Sequence, residues 1–488
     1  MRKSCVRVVG LFSFMILLVF QSHAGALEDF LASENLKQAS VGFIIKNIDN
    51  DSVVAQYQAE VCRNPASVTK LITTATALEL LTDSFCFSTV VKMSGEIVDS
   101  VLQGNLYIQG GGDPSLESSF NPKKDQFYSV VADTLKAMGI KEISGRIIGD
   151  ASLFQEDGAP LSWMVEDIGS SYSPTPSALS VHDNLLSFAI TSDSSGFSIS
   201  RVKPYTSLFR PEFQMSQRRD QPLSWRFSKS DFSWCPVVRG NLPLGTCQSF
   251  KTELSEPAYF LADSLKKLLI LKEMIVPEGV TTTRWPDCDL SADTLFKELY
   301  RHTSAPLVDI CRVTNYKSLN LYAENIFQIL SLNRDSVSPC SAWSAALTVE
   351  RYWKKKGLAS ERIFQVDGSG MSTKNAISPI FIVDLLTYMH QRSSYSQAFL
   401  STLPTAGKHG TVASFMKGTP LAGKTFLKSG SMERVKNYAG YIFVNGKKYA
   451  FCIFVSNFTG RANKVAQQIS QLLNGVVNED NELLPIPW

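Results

Sequence analysis

Apolar positions change rhythm along the chain and divide it into three regions. Residues 40–48 form an apolar run that predicts a strand, and residues 67–81 carry Leu71, Thr74, Leu78 and Leu81 on one helical face. From about 88 to 290 the pattern shortens into brief alternating strands rich in Gly and Pro. There Val90-Val91 and Ile97-Val98 flank a turn at Ser94-Gly95, and Leu106-Tyr107-Ile108 runs into Gly110-Gly111-Gly112-Asp113-Pro114. The triple glycine is followed by neither a GK[ST] nor a GxGxxG pattern, so it predicts a tight turn and not a phosphate cradle. Helical spacing within this region covers 125–138 and 258–275. It returns from about 293, predicting helices over 294–303, 318–330 and 341–356. Near the end, the apolar runs 437–444 and 447–456 are joined by Asn445-Gly446, a strong hairpin signal. A closing helix is expected over 463–473, followed by an acidic tail with no amphipathic pattern. No repeat recurs at a fixed period.

The segment 1–26 looks like an export signal. Arg2, Lys3 and Arg7 lead into an apolar stretch over 8–20, and Ala24-Gly25-Ala26 offers a small-x-small cleavage site. The stretch falls short of the roughly 20 residues needed to span a bilayer, so at most peripheral membrane contact is expected. The chain carries 48 basic and 45 acidic residues; without the three basic residues of the signal it is neutral, which argues against a nucleic-acid binder. Eight of the nine cysteines follow the signal, none in a CxxC pair. In an oxidising compartment Cys235 and Cys247 are the first couple to expect, since they flank a loop rich in Pro and Gly, with buried free thiols as the alternative. His182, His302, His390 and His409 show no ligand-like spacing, so no metal or other cofactor is expected.

Three short motifs carry candidate chemistry. In Asn64-Pro65-Ala66-Ser67-Val68-Thr69-Lys70, a serine at a helix start has a lysine one turn away, within reach of its hydroxyl. A lysine taking that proton must be partly neutral, which burial or cationic neighbours achieve. Ser200 with Lys203 and Ser264 with Lys267 repeat the Ser-x-x-Lys spacing without a helix start before the serine. Ser318-Leu319-Asn320 places a hydroxyl and an amide on a turn, where capping would also account for them. Lys428-Ser429-Gly430-Ser431 puts a charge and donors on a strand that glycine lets approach a bound peptide.

In this order, Ser-x-x-Lys, Ser-x-Asn and Lys-Thr/Ser-Gly are the signature set of serine penicillin-binding proteins and β-lactamases. The chain resembles the class C low-molecular-weight penicillin-binding proteins, the D-alanyl-D-alanine carboxypeptidase/endopeptidase family. The resemblance extends through 104–116 (GNLYIQGGGDPSL), 145–150 (GRIIGD), 318–324 (SLNLYAE), 367–372 (DGSGMS), 403–407 (LPTAG), Gly410-Thr411 and 437–441 (NYAGY). It implies a mixed α/β fold: a transpeptidase-like domain, with an antiparallel sheet between helical layers, built from 27–87 and 291–488. The step of 251 residues from Ser67 to Ser318 implies a large, mainly β insertion over 88–290, one domain nested in another.

The resemblance also implies roles. Ser67 would form the acyl-enzyme and Lys70 would take its proton. Ser318, Asn320 and Lys428 would pass a proton to the leaving amine. The N–H groups of Ser67 and Ser431 would form an oxyanion hole, Ser429 would bind the terminal carboxylate, and Gly430 would let the strand lie against the peptide. Partners would be peptidoglycan peptides ending in D-Ala-D-Ala or cross-linked, with β-lactams as covalent inhibitors, in the periplasm. The chain departs from the family at Ser429, where threonine is usual, and at Thr373-Lys374, where arginine usually follows the DGSGxS stretch. A serine β-lactamase and a non-catalytic wall-binding module are the alternative readings.

Overall fold

The computed structural model describes residues 25–121, 126–155, 158–285, 296–332 and 339–482. Residues 1–24 of the signal expected over 1–26, the start of the helix expected at 125, Cys288 and the boundary at 290/291 lie outside the described residues. Walking the chain, helix α1 (Gly25–Ala32) leads to strands β1 (Ser40–Asn47) and β2 (Val53–Tyr57), and then to helix α2 (Thr69–Leu81). Strands β3 (Ser88–Ser94) and β4 (Leu106–Gly110), helix α3 (Phe127–Ala137) and strand β5 (Ile147–Asp150) follow. Then come β6 (Leu185–Asp193), β7 (Gly196–Lys203), β8 (Val237–Asn241), β9 (Thr246–Glu253), helix α4 (Pro257–Leu271), β10 (Val280–Thr282) and β11 (Phe296–Thr303). The rest contains helices α5 (Leu307–Lys317), α6 (Asn320–Ile329), α7 (Ala342–Lys355) and α8 (Pro379–Gln391), strands β12 (Thr425–Met432), β13 (Val435–Val444) and β14 (Lys447–Ser456), and helix α9 (Ala462–Glu482).

Both chain ends build one antiparallel sheet in the order β12-β13-β14-β1-β2. Its strands read as continuous apolar runs because both faces are covered. Along β1, Val41, Phe43 and Ile45 pack with Phe451, Ile453 and Val455 of β14 against Phe30 of α1 and Val465, Ile469 and Leu472 of α9. Ile44, Cys452 and Phe454 point to the other face, toward Leu71 and Ile72 of α2 and Phe381 of α8. A one-residue slip would exchange the two faces, so the register is firmly set. Asn445 and Gly446 both have positive φ, 52° and 76°, as a two-residue hairpin requires.

The region after α2 contributes a second five-stranded sheet, β10-β5-β4-β3-β11, with α3 and α4 packed on it. Three three-stranded sheets accompany it among the described residues: β7-β6-β9, β8 flanked by strands Glu212–Ser216 and Ser224–Ser228, and a small one of Glu96–Val98, Val101–Gln103 and Glu142–Ile143. The triple glycine is a close-packed turn, as expected: a Cβ on Gly110 would fall 2.2 Å from the Ala178 carbonyl oxygen, and one on Gly111 2.2 Å from that of Ser88. A buried ion pair, Lys229 Nζ to Glu253 Oε2 at 2.8 Å, ties this region together; Lys229 also donates to Ser255 Oγ at 2.9 Å.

Several expectations are corrected. The helix expected over 294–303 is strand β11, paired along its length with β3, so the second sheet extends past 290. Its partner strand offers more than local spacing can, and tertiary pairing overrides the helical pattern. The closing helix runs on through the acidic tail to Glu482, because Val476 and Val477 are buried and Asp480 accepts from Lys447 and Tyr449. Cys235 and Cys247 are unpaired and exposed. Strand β8 carries the chain about 16 Å away after Cys235, and Cys247 sits on β9 opposite Thr191, in a different sheet. Helices α5 and α8 are additions to the expected set. No helix among the described residues is long and apolar enough to cross a membrane.

Replacing Lys229 with Ala leaves Glu253 buried without its cation. The expected loss of stability is about 3–5 kcal/mol, read from urea unfolding; a loss under ~1 kcal/mol would show the pair to be solvated.

Candidate active site

The turn before α2 is built around a strained residue. Ala66 has φ 46°, and Asn64 Oδ1 accepts its N–H at 2.8 Å while Thr69 donates to its carbonyl at 2.8 Å. These bonds hold a left-handed conformation that a β-carbon disfavours. Ser67 follows in a single 3₁₀ turn, Ala66–Val68, and α2 proper begins at Thr69. Residues 69–78 of α2 are all buried, more than the one face expected. Its threonines satisfy their own hydroxyls: Thr74 donates to Lys70 O and Thr76 to Ile72 O, each at 2.7 Å.

Lys70 is fully buried and its Nζ has three acceptors: Ser67 Oγ at 3.0 Å, Asn320 Oδ1 at 2.7 Å and the Ser369 carbonyl at 2.6 Å. Burial lowers its pKa to about 7, against the opposing pull of Glu324 and Asp367. The three partners suit both protonation states. An ammonium donates to all three; a neutral amine donates to Asn320 and Ser369 and turns its lone pair to the Ser67 hydroxyl.

Ser318 caps α5 in the left-handed conformation, φ 58°, which turns the chain so that α6 starts at Asn320. Lys428 on β12 is fully buried and donates to Ser318 Oγ at 2.9 Å and to the Ser429 carbonyl at 2.7 Å. Burial, then Lys70 and Lys436, push its pKa well down. Its amine therefore faces Ser318 and not open solvent. Ser429 Oγ lies 2.9 Å from Thr411 Oγ1, and Ser431 is exposed, accepting from Lys436 at 2.9 Å. Gly430 is where β12 meets the serine turn. A Cβ there would be 2.7 Å from Pro65 O and 3.2 Å from Ser67 N. The structure thus brings together Ser67, Lys70, Ser318, Asn320, Lys428, Ser429, Gly430 and Ser431. Of the two other Ser-x-x-Lys pairs, Ser200 and Lys203 lie on strand β7, and Ser264 and Lys267 lie inside α4.

Ser67, Ser318, Asn320 and Ser431 line a cleft of about 1070 Å³ whose opposite wall, including Met164, Tyr172 and Trp225, comes from the region after α2. That wall also bonds to the site. Tyr172 O accepts from Asn320 Nδ2 at 2.6 Å, which fixes the amide so that its oxygen faces Lys70. Trp163 Nε1 donates to the buried Asp367 at 3.1 Å, and Ser372 donates to Ser162 O at 3.1 Å.

Sequence alone assigns no role to Glu324, Asp367, Ser369, Thr411, Lys436 or the 162–172 wall. Glu324 and Asp367 stand within the quoted stretches 318–324 and 367–372; the tryptophan and the carbonyls carry no signal. Among the described residues no group of three or more His, Cys, Asp or Glu is placed to hold a metal ion.

A profile of the D-Ala-D-Ala carboxypeptidase 3 (S13) family matches residues 23–476. The chain is 25% identical over 435 residues to D-alanyl-D-alanine carboxypeptidase DacB of Haemophilus influenzae, covering 86% of each. It is 26% identical over 431 residues to a D-alanyl-D-alanine carboxypeptidase of Actinomadura sp., covering 83% of this chain and 75% of that one. Among solved structures, penicillin binding protein 4 of H. influenzae matches with a TM-score of 0.79 at 24% identity, over 93% of this chain and 98% of that chain. This last likeness establishes the fold, including the mixed α/β architecture.

Gly430→Ala should force β12 away from the Ser67 turn. Overpacking at such a contact costs about 1–3 kcal/mol, measurable as a lower thermal midpoint. A midpoint equal to that of the unsubstituted chain would mean the turn yields without cost.

Proposed function

Because the chain belongs to the D-Ala-D-Ala carboxypeptidase 3 (S13) family, we propose that it hydrolyses peptidoglycan peptides after D-alanine through an acyl-enzyme at Ser67. The observation that carries this reading is the fully buried Lys70, whose Nζ lies 3.0 Å from Ser67 Oγ and whose pKa burial lowers to about 7. Neutral Lys70 takes the hydroxyl proton as Ser67 Oγ attacks the carbonyl carbon of the substrate. The oxyanion accepts from the backbone N–H groups of Ser67 and Ser431; glycine at 430 lets the strand that carries Ser431 pack against the Ser67 turn. The peptide bond breaks as its nitrogen takes the proton of the Ser318 hydroxyl, which Lys428 holds, and the proton that Lys70 took from Ser67 returns to Ser318. Water then adds to the acyl-enzyme and releases Ser67 with its proton restored. Ser429, beside Thr411, takes the carboxylate of the leaving residue.

The same machinery serves removal of a terminal D-alanine and cutting of a cross-link, and digestion of defined muropeptide monomers and dimers separates the two. β-Lactams would acylate Ser67 in place of the peptide. We read residues 27–87 and the chain after Thr303 as the peptidase domain, with the intervening sheets inserted to form the far wall of the cleft. The basic and apolar leader over 1–26 marks export to the periplasm, with cleavage near Ala24-Ala26.

Labelling by a fluorescent penicillin, followed against pH, tests the nucleophile and base together. The unsubstituted protein should be labelled at a rate that climbs as Lys70 loses its proton, through about pH 7. Ser67→Ala should abolish labelling. Lys70→Arg, always charged, should slow it by at least ~100-fold at every pH. Labelling that persists in the alanine variant places the nucleophile elsewhere.

Ser429→Ala should lower kcat/KM on an acyl-D-Ala-D-Ala peptide by about 10- to 150-fold, the worth of a charge-assisted hydrogen bond. The loss should be smaller on the C-terminal amide, and Ser429→Thr should be nearly neutral. Equal losses on acid and amide would make Ser429 a packing residue.

A further inference from the structure

Two of the three acceptors around Lys70 trace back to one helix. Asn320 and Glu324 stand four residues apart in α6 and so share a face. Asn320 reaches Lys70 Nζ directly, at 2.7 Å. Glu324 acts one step removed. Its Oε2 accepts the Gly368 N–H at 3.0 Å and its Oε1 the Ser369 N–H at 2.8 Å. The carbonyl of that same Ser369 is the acceptor 2.6 Å from Lys70 Nζ. On the other side of this backbone, Thr73 donates to the Gly368 carbonyl at 2.7 Å, one turn along α2 from Lys70. Gly370 completes the grip: a Cβ there would lie 1.9 Å from the Ala66 carbonyl. Glu324 itself is fully buried. A carboxyl in that position carries a desolvation cost that an apolar residue would avoid, and its two backbone N–H bonds offset part of that cost.

We propose that Glu324 is a positioning residue for acylation: it clamps the Gly368 and Ser369 N–H groups so that the Ser369 carbonyl engages Lys70 and leaves the amine lone pair directed at Ser67. The inference rests on the serine acyl-transfer reading above. A second consequence is electrostatic. The charged groups facing Lys70 are Glu324 from α6, Asp367 from the loop before Ser369, and Lys428 from β12. Glu324 and Asp367 favour the ammonium, while Lys428 and burial disfavour it. Burial and then Asp367 raise the pKa of Glu324 itself to about 8, with its bonds to Ser369 and Gly368 opposing, so its carboxyl is largely neutral where Lys70 titrates and the clamp acts through its two oxygens more than through charge.

The experiment is the pH dependence of acylation by a fluorescent penicillin in the unsubstituted full chain, Glu324→Gln and Glu324→Asp, with thermal midpoints recorded for each. Glu324→Gln keeps the size but has one acceptor for two N–H donors. Its plateau rate should fall about tenfold or more as Lys70 loses its fixed partner. Glu324→Asp keeps the charge but is one methylene short of the double grip. Its plateau should fall about tenfold while its limb stays within about 0.3 units of the parent. A plateau equal to the parent in either folded variant, or an Asp variant whose limb moves by more than about 0.3 units, overturns the proposal. If the Gln variant does not fold, the Asp variant decides by its plateau and limb. A parent chain that penicillin does not label fails the acyl-transfer reading instead, so the two failures are distinct.

Discussion

Lys70 is an amine held out of water, and most of the site's architecture follows from that. A buried ammonium is costly unless its donors are met, and a buried neutral amine needs its two N–H bonds met as well. The acceptors come from places far apart in the chain: Ser67 one turn before it, Asn320 at the head of α6, and the Ser369 carbonyl in an irregular loop. Each must arrive within hydrogen-bond distance at one atom. That requirement explains the left-handed Ala66, the left-handed Ser318, and the two glycines, Gly370 and Gly430, that lie against the serine turn where no side chain fits. The central sheet supplies the rigidity. β12 is its edge strand, pinned to β13 along its full length, so Lys428, Ser429 and Gly430 are held at fixed height beside Ser67.

The region between α2 and α5 is part of the same constraint and not an appendage. It contributes the Tyr172 carbonyl that fixes the Asn320 amide, the Trp163 indole that holds Asp367, and the Ser162 carbonyl that receives Ser372. From the other direction, Asn325 on α6 donates to the carbonyls of Gly112 and Ser177. The tight glycine turn at 110–112 is thus a docking point as well as a bend. One turn of α6 reaches toward Lys70, and the next residue, Asn325, anchors the region between α2 and α5. The cleft exists between two walls that the same helix ties together.

Legibility in the sequence follows the range of the interactions. The Asn445-Gly446 hairpin, the Ser341 cap of α7 and the Ser-x-x-Lys helix start all depend on near neighbours in the chain, and each is readable. Helix α8 also carries local signals, Ser378 as N-cap and Pro379 at its first position, which its apolar run obscures. Strand β11 misleads because its helical spacing is real, but its place is decided by β3, on the far side of the whole inserted region. The Cys235–Cys247 couple fails for the same reason: nearness in sequence is cut by a strand that leads into another sheet. Glu324 and Asp367 are visible as members of familiar stretches, yet nothing local assigns a buried carboxylate to a backbone N–H pair 44 residues away.

By itself the sequence determined which residues can do chemistry. A hydroxyl and an amine one helical turn apart, a Ser-x-Asn turn and a Lys-Ser-Gly strand are fixed by covalent spacing and short-range geometry, and their order along the chain identified the family. Tertiary structure alone decided the state of those groups. Whether Lys70 is neutral depends on how much water is excluded around it and which charges face it, and those come from α6, the 367–372 loop and β12 together. Burial and long-range convergence are properties of the packed molecule, so the basicity of the lysine, the supporting role of Glu324 and the cleft wall from the inserted region appear only when the chain is folded.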